Sequence, residues 1–113
     1  MINIEKTVYD KTEKKDGKRI LVMRIWPRGV RKDKIDLWLK ELGTERELIE
    51  AWKQGKVSWA EFRKRYLASL KGKEETLQKL AKEAKTHTLS LLCSCKDVHH
   101  CHRILLKQVI EQI

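Results

Sequence analysis

The chain contains no apolar run that approaches the ~18 residues of a membrane-spanning helix, so we expect no membrane partner. Its first residues include no apolar signal segment, because charged side chains follow Met1 within a few positions. The three cysteines are odd in number, which with the missing signal segment favours free thiols in a reducing cytoplasm. There is no repeat and no low-complexity segment, and we predict one domain over residues 1–113.

The chain is rich in positive charge and somewhat poor in apolar residues. Charged residues make up 37% of the chain, apolar residues 41%, and the net charge is +10. Such a field attracts anions, including nucleic acid, phosphorylated metabolites and acidic protein surfaces, although many lysine-rich domains are basic only for solubility. Because the basic residues are spread along the chain without exposed aromatic platforms, nucleic acid is expected from net charge alone. The sequence leaves the oligomeric state open.

Three apolar segments predict strands. Ile2, Ile4 and Val8 alternate with a period of two residues. Residues 20–23 form a continuous apolar run, typical of a strand buried on both faces, and residues 88–93 form the third segment. The link between the first two strands is short for a crossover, so an antiparallel first pair is one interpretation.

Four helices are predicted between the second and third strands. Asp33 caps the first, which ends at Gly43, and Thr44 begins a capping box for the second. Ser58 begins another capping box, and apolar spacing predicts the fourth helix around residues 77–84. Together with the strands, this order predicts an α/β fold, a small three-layer domain with a short, mostly parallel sheet covered by helices.

The C-terminal helix is predicted to begin at a cap on Asp97. Its apolar stripe includes Cys101, which should therefore face the core, and His102 lies at the border of that stripe. Arg103 falls on the opposite side of the helix, which we expect to be exposed to solvent.

Several motifs occur in a fixed order along the chain. They are Arg24-Ile-Trp-Pro-Arg-Gly29, the segment at residues 36–42, the segment at residues 59–67 and the strand that leads to Lys96-Asp97. This order resembles the domain of unknown function 488 (DUF488) family, in its YeaO-like branch, from about residue 2 to the C-terminus. The resemblance implies a compact α/β domain and supplies no activity, substrate or catalytic residue. The Cys-His-Arg sequence at residues 101–103 looks more like the other branch of the family.

Basic side chains at two chain reversals predict an anion-binding crevice. In a parallel sheet the turn after the second strand lies at the same edge as the N-terminus of the last helix. Arg24, Arg28, Lys96 and Arg103, together with helix N–H groups, would then surround a small anionic ligand through its phosphate or carboxylate group. A second interpretation pairs Arg24 and Arg28 with acidic side chains that hold the turn together.

The cysteines after the last strand permit a second kind of chemistry. A thiolate that faces a helix N-terminus is stabilised and becomes more nucleophilic. Whether the protein is an enzyme is left open. If it is, we predict Cys93 or Cys95 as the nucleophile and His102 as the proton carrier, acting on a phosphorylated or carboxylated small molecule. The other interpretation, which we favour, makes Cys93 and Cys101 small buried core residues.

No cofactor and no bound metal are predicted. The alternative is a zinc site with ligands Cys93, Cys95, Cys101 and His99, in which a neighbouring histidine could replace His99. We do not favour this site, because Cys-x-Cys at the end of a strand is less typical of zinc ligands than Cys-x-x-Cys.

Overall fold

A sheet of four parallel strands forms the centre of the structure, a computed structural model that describes all 113 residues. The strands are β1 (Ile2–Asn3), β2 (Lys18–Leu21), β3 (Leu37–Trp38) and β4 (Leu89–Leu92). Their order across the sheet is β1-β4-β2-β3. All four residues of β4 are buried, as expected for a central strand that is covered on both faces. The predicted α/β fold with a parallel sheet is confirmed.

Four α-helices accompany the sheet: α1 (Arg46–Lys53), α2 (Trp59–Ser69), α3 (Glu74–Ala84) and α4 (His102–Glu111). The first three lie in the chain between β3 and β4 and provide the long crossover that parallel strands require. Short 3-10 helices occur at Lys14–Asp16, Lys32–Lys34, Lys40–Leu42 and Val98–His100. No helix has both the length and the apolar character needed to cross a membrane.

The two faces of the sheet are covered by different kinds of structure. A cluster of 17 buried residues, including Ile20 and Leu91, packs one face against all four α-helices. On the other face, a cluster of four joins the strands to irregular segments: Val8, Leu21, Val30 and Leu92. Neighbours along a strand point to opposite faces, which is why Ile20 and Leu21 belong to different clusters.

The interpretation of the first two strands as an antiparallel pair is wrong, because β4 lies between them in the sheet and they do not pair with each other. Ile2 and Lys18 both lie opposite Leu89, each in a parallel register. After β1 the chain continues beside β4, where the Val8 N–H donates to the Cys93 carbonyl at 3.1 Å. The chain then has to run back along the sheet before β2 can begin in the same direction.

The predicted helix from Asp33 to Gly43 is also wrong. Strand β3 occupies its middle and pairs with β2, with Leu37 opposite Ile20. The Asp36 N–H donates to the Arg19 carbonyl at 2.8 Å, and the Leu39 N–H donates to the Leu21 carbonyl at 2.9 Å. Pairing with β2 satisfies these backbone groups, so tertiary contact overrides the helical spacing of the apolar residues.

The two predicted capping boxes have different outcomes. The Ser58 Oγ accepts a hydrogen bond from the Glu61 N–H at 3.1 Å at the start of α2, as predicted. Helix α1 begins instead after Glu45, without a side-chain cap. The Thr44 hydroxyl that was expected to cap this helix is buried and has no hydrogen-bond partner.

A buried ion network closes the amino end of the sheet. The Asp16 side chain is fully buried, and its carboxylate lies 2.6 Å from an Arg19 terminal nitrogen and 2.9 Å from Lys6 Nζ. The Ser90 hydroxyl donates to the Asp16 carbonyl at 2.7 Å. The Asp16 carboxylate is thus paired with the positive charges of Lys6 and Arg19. The hydrogen bond from Ser90 connects β4 to the turn before β2.

Candidate functional site

Three side chains converge at the carboxyl end of the sheet. Cys93 directly follows β4, Cys101 is the residue before α4, and His102 is the first residue of α4. The two sulfur atoms and a ring nitrogen of His102 all lie within 4.8 Å of one another. The three residues are only 6%, 3% and 5% exposed, respectively. We call this set the thiol–imidazole cluster.

The hydrogen bonds of His102 determine which ring nitrogen faces the thiols. Its Nε2 lies 2.6 Å from the backbone carbonyl oxygen of Val22, just beyond β2. A carbonyl oxygen only accepts hydrogen bonds, so Nε2 must hold a proton and donate it. In the neutral ring Nδ1 is then the unprotonated nitrogen, and it lies 3.7 Å from Cys101 Sγ. A base or ligand atom is therefore directed at the sulfur.

Arg103 is buried rather than exposed, which corrects the prediction from helical spacing. Its side chain donates to three protein acceptors: Nε to Cys101 Sγ at 3.4 Å, one terminal nitrogen to the Cys95 carbonyl at 2.7 Å and the other to the Lys6 carbonyl. The segment after β1 and the loop after β4 cover this side of the helix, and their carbonyl groups need buried donors. Arg103 thus holds the cluster together and places a positive charge beside the sulfurs.

The three thiols interact, and their pKa values diverge. A hydrogen bond with Cys101 lowers the pKa of Cys93 to about 7 against the opposing effect of burial, and the charge of Arg103 assists. The hydrogen bond with Cys101, followed by burial, raises the pKa of Cys95. For Cys101, the hydrogen bond with Cys93 raises the pKa, but those with Cys95 and His102 outweigh it and leave it lowered. Thiolate character therefore concentrates on the two buried sulfurs.

Arg24 lies in the turn that follows β2. Its Nε donates to the Gly43 carbonyl at 3.0 Å. A Cβ atom on Gly43 would lie 2.6 Å from the Arg24 backbone nitrogen, so only glycine permits this close approach. Arg24, Arg28 and Lys96 are exposed and form no ion pair with a carboxylate. The interpretation in which acidic side chains neutralise Arg24 and Arg28 is therefore wrong.

Tyr66 of α2 links the Arg24 turn to the thiol–imidazole cluster. Its hydroxyl donates to the Leu42 carbonyl at 2.7 Å, and its ring centroid lies 5.4 Å from that of His102. Burial, and then the charges of Cys101 and Cys93, raise the pKa of Tyr66, while the charge of Arg24 lowers it. Tyr66 therefore contacts both the Leu42–Gly43 segment, to which Arg24 donates, and the His102 ring, so the Arg24 turn and the cluster lie at the same edge of the sheet.

The loop between β4 and α4 has its own contacts. Asp97 caps the 3-10 turn at Val98–His100 rather than α4, with its Oδ1 accepting from the His99 N–H at 3.1 Å. Its Oδ2 lies 2.9 Å from Nδ1 of His100, whose ring stacks on Trp52 at 5.7 Å. The half-buried Cys95 directs its sulfur to the Asp97 carbonyl at 3.6 Å.

The structure brings together only part of the residue sets proposed from sequence. Cys95 and the exposed His99 lie outside the thiol–imidazole cluster, whereas His102 belongs to it. The position of Tyr66 beside the cluster could not be predicted, because no sequence signal distinguishes it from other buried aromatic residues. The Val22 carbonyl and the Gly43 contact depend on backbone geometry, which residue types do not reveal.

Comparison with known proteins identifies the family. A family profile described as the active DUF488-N3 subclade matches residues 3–113. The uncharacterised protein YeaO of Escherichia coli K12 is 43% identical over 108 residues, which cover 93% of this chain and 94% of YeaO. The uncharacterised protein Rv3073c of Mycobacterium tuberculosis H37Rv is 30% identical over 105 residues, which cover 91% of this chain and 88% of that protein. No solved structure matches the chain. The chain belongs to the DUF488 family, as its ordered motifs predicted, and within it to the DUF488-N3 subclade.

Proposed function

We propose that the carboxyl end of the sheet binds a small anion through a phosphate or carboxylate group, with Arg24 as its principal ligand. One observation carries the proposal. The Gly43 carbonyl holds Arg24 through Nε, which leaves both terminal nitrogens without a carboxylate partner. A guanidinium that is held in this way presents two parallel donors, the arrangement that suits a phosphate or carboxylate group.

The surrounding charge supports this assignment. Arg28 and Lys96 lie in the two chain reversals at the same edge, and neither has an acidic partner. The first turn of α4 brings the positive end of a helix dipole to the same edge of the sheet. The net charge of +10 raises the local concentration of anions. Arg103 contributes charge but no direct contact with the ligand, because its side chain is almost fully buried and donates to the Cys101 sulfur and to two backbone carbonyls.

The neighbouring thiols and imidazole are the groups that would react with a bound ligand if the site is catalytic. Cys93 as nucleophile and His102 as proton carrier remain our prediction for that case, with Cys95 as the more accessible alternative. The DUF488-N3 subclade is described as active, without a named reaction. Three free cysteines agree with a reducing compartment, and we place the protein in the cytoplasm.

The proposal is tested by calorimetric titration with inorganic phosphate. Arg24→Gln removes the guanidinium, and Arg63→Gln is the matched control because Arg63 is exposed on α2 and has no acidic partner. We expect Arg24→Gln to weaken phosphate binding by about tenfold, since a charge-assisted bond contributes about 1.4 kcal/mol or more. Arg63→Gln should bind phosphate like the parent protein. Equal affinity in all three proteins, or no binding at all, would contradict the proposal.

Nucleic acid is the competing ligand class, and only the net charge favours it. Diffuse attraction to a polyanion weakens by similar amounts whichever basic residue is removed. A single-stranded oligonucleotide titrated into the same two variants separates the cases. Equal losses indicate diffuse attraction, whereas a loss confined to Arg24→Gln places the nucleic-acid phosphate at the proposed site.

A further inference from the structure

The thiol–imidazole cluster has a composition that anion binding does not explain. Two sulfurs and one imidazole nitrogen converge within 4.8 Å, and all three residues are at least nine-tenths buried. They come from the end of a strand and the first turn of a helix, so rigid elements hold them. A metal ion needs only the space between these three side chains, so their burial is compatible with metal binding.

We propose that Cys93 Sγ, Cys101 Sγ and His102 Nδ1 bind one Zn²⁺ ion. Sulfur and imidazole nitrogen are preferred zinc ligands, and Mg²⁺ or Ca²⁺ would require oxygen ligands instead. With zinc–sulfur and zinc–nitrogen bonds of about 2.3 and 2.0–2.1 Å, two ligand atoms at the tetrahedral angle lie about 3.6 Å apart. The Cys101 Sγ to His102 Nδ1 distance is 3.7 Å, so this ligand pair has the required spacing.

The orientation of His102 supports the same assignment. Metal-binding histidines usually donate their other ring N–H to a carbonyl or carboxylate group, which fixes the ring and the tautomer. Here Nε2 donates to the Val22 carbonyl at 2.6 Å, which leaves the Nδ1 lone pair directed at Cys101. The Arg103 Nε–H donates to Cys101 Sγ at 3.4 Å, an outer hydrogen bond of the kind that metal-bound thiolates accept.

Zinc binding at this site balances both charge and protons. Both thiols lose a proton to solvent as the metal binds, and the two thiolates neutralise the Zn²⁺ charge. The Cys95 sulfur contacts Cys101 and the Asp97 carbonyl, but Cys95 does not belong to the group whose ligand atoms all lie within 4.8 Å of one another. The site therefore has three protein ligands, and water or a small anion fills the fourth position, as in zinc sites that remain open to a ligand.

The test uses reduced full-length protein, purified without a metal-affinity tag and titrated with Co²⁺ as a spectroscopic probe for zinc. We expect one ion per chain, with a sulfur-to-cobalt charge-transfer band and intense four-coordinate visible absorption. Cys93→Ser and Cys101→Ser should each weaken binding by at least about tenfold and reduce the charge-transfer band. His99→Gln is the matched control from the same loop and should bind cobalt like the parent protein. Cys95→Ser should retain cobalt binding, because Cys95 contacts Cys101 but is not one of the three proposed ligands.

Three results would overturn the proposal: no cobalt binding by the parent protein, unchanged binding after Cys101→Ser, or a loss of binding after Cys95→Ser. If the serine variants do not fold, alkylation of the parent protein with and without Zn²⁺ decides instead. Mass spectrometry should find Cys93 and Cys101 protected by zinc while Cys95 reacts, and equal alkylation of all three would contradict the site. The metal proposal does not rest on the anion proposal, because phosphate binding is tested at Arg24 and metal binding at the cysteines.

Discussion

The two ends of the sheet both bury polar side chains, but they balance charge differently. At the amino end, the Asp16 carboxylate contacts Lys6 and Arg19, so opposite charges are paired. At the carboxyl end, the thiol–imidazole cluster adjoins Arg103, and no acidic side chain pairs with that guanidinium. In the Asp16 network the buried charges are paired within the chain, although one terminal nitrogen of Arg19 has no hydrogen-bond partner. At the carboxyl end, two buried sulfurs and an imidazole nitrogen contact no carboxylate, and we propose that they accept a ligand from outside the chain.

The largest expected effect is at the amino end. Asp16→Asn removes the only carboxylate that pairs with the buried Arg19 guanidinium. Leaving a buried charge without its partner costs about 3–5 kcal/mol, so urea unfolding should report a loss of this size in the free energy of unfolding. Asp33→Asn is the control, because its partner Arg31 is exposed and such pairs contribute about 1 kcal/mol or less. Similar losses in both variants would show that the Asp16 network is not a special stabilising element.

The dependence of the free energy of unfolding on acidic pH should report on the same Asp16 network. Burial raises the pKa of Asp16, but hydrogen bonds from the Glu13 N–H, Lys6 and Arg19 outweigh it and leave the pKa below its usual range. This contribution to stability is therefore present at neutral pH and is lost as the pH falls below about 4 through the folded-state pKa. The unfolding free energy of the parent protein should fall more steeply with acid than that of Asp16→Asn. Parallel pH profiles would contradict this assignment.

At the carboxyl end, Gly43→Ala tests how Arg24 is held. The added Cβ would lie 2.6 Å from the Arg24 backbone nitrogen, so the turn must shift. We expect a loss of about 1–3 kcal/mol from overpacking, measured by urea unfolding, and weaker phosphate binding, measured by calorimetry. Adding Arg24→Gln to this variant should produce little further loss in phosphate affinity, since both changes act on one contact. Fully additive losses would indicate that Gly43 does not act through Arg24.

We expect the smallest changes in stability from removing one buried hydroxyl group near each end of the sheet, that of Ser90 at the amino end and that of Thr44 at the carboxyl end. The Ser90 hydroxyl donates to the Asp16 carbonyl at 2.7 Å, so Ser90→Ala should cost about 1 kcal/mol. The Thr44 hydroxyl is buried without a partner, so Thr44→Val should be neutral or slightly stabilising, because it removes an unsatisfied polar group. Thermal unfolding of both variants provides the comparison. Equal destabilisation would indicate that the Thr44 hydroxyl has a structural partner.

Local signals predicted most of the helices and strands. The Ser58 cap, the apolar spacing of residues 77–84 and the apolar run at residues 88–93 depend on near neighbours in sequence, and all three appear in the structure. Strand β3 could not be predicted, because two residues form a strand only when β2 is available for pairing.

The candidate site was predicted in outline but not in detail. Cys93 and Cys101 were expected to be small buried residues after a strand and before a helix, and the structure shows both of them buried there. The burial of Arg103 could not be predicted, because the Lys6 carbonyl that it contacts lies 97 residues away in sequence. Likewise, the choice of His102 over His99 depends on the Val22 carbonyl and on the 3-10 turn before α4.

The most direct test of a ligand site at the carboxyl end is an NMR titration of isotope-labelled protein with inorganic phosphate, followed through the backbone amide signals. We expect saturable shifts confined to the amides around Arg24, Gly43 and the first turn of α4, with the amino end near Asp16 unchanged. Shifts that are spread over the lysine-rich surface, or that are absent at the carboxyl edge, would contradict the proposal that the carboxyl end of the sheet binds an anionic ligand and the amino end does not.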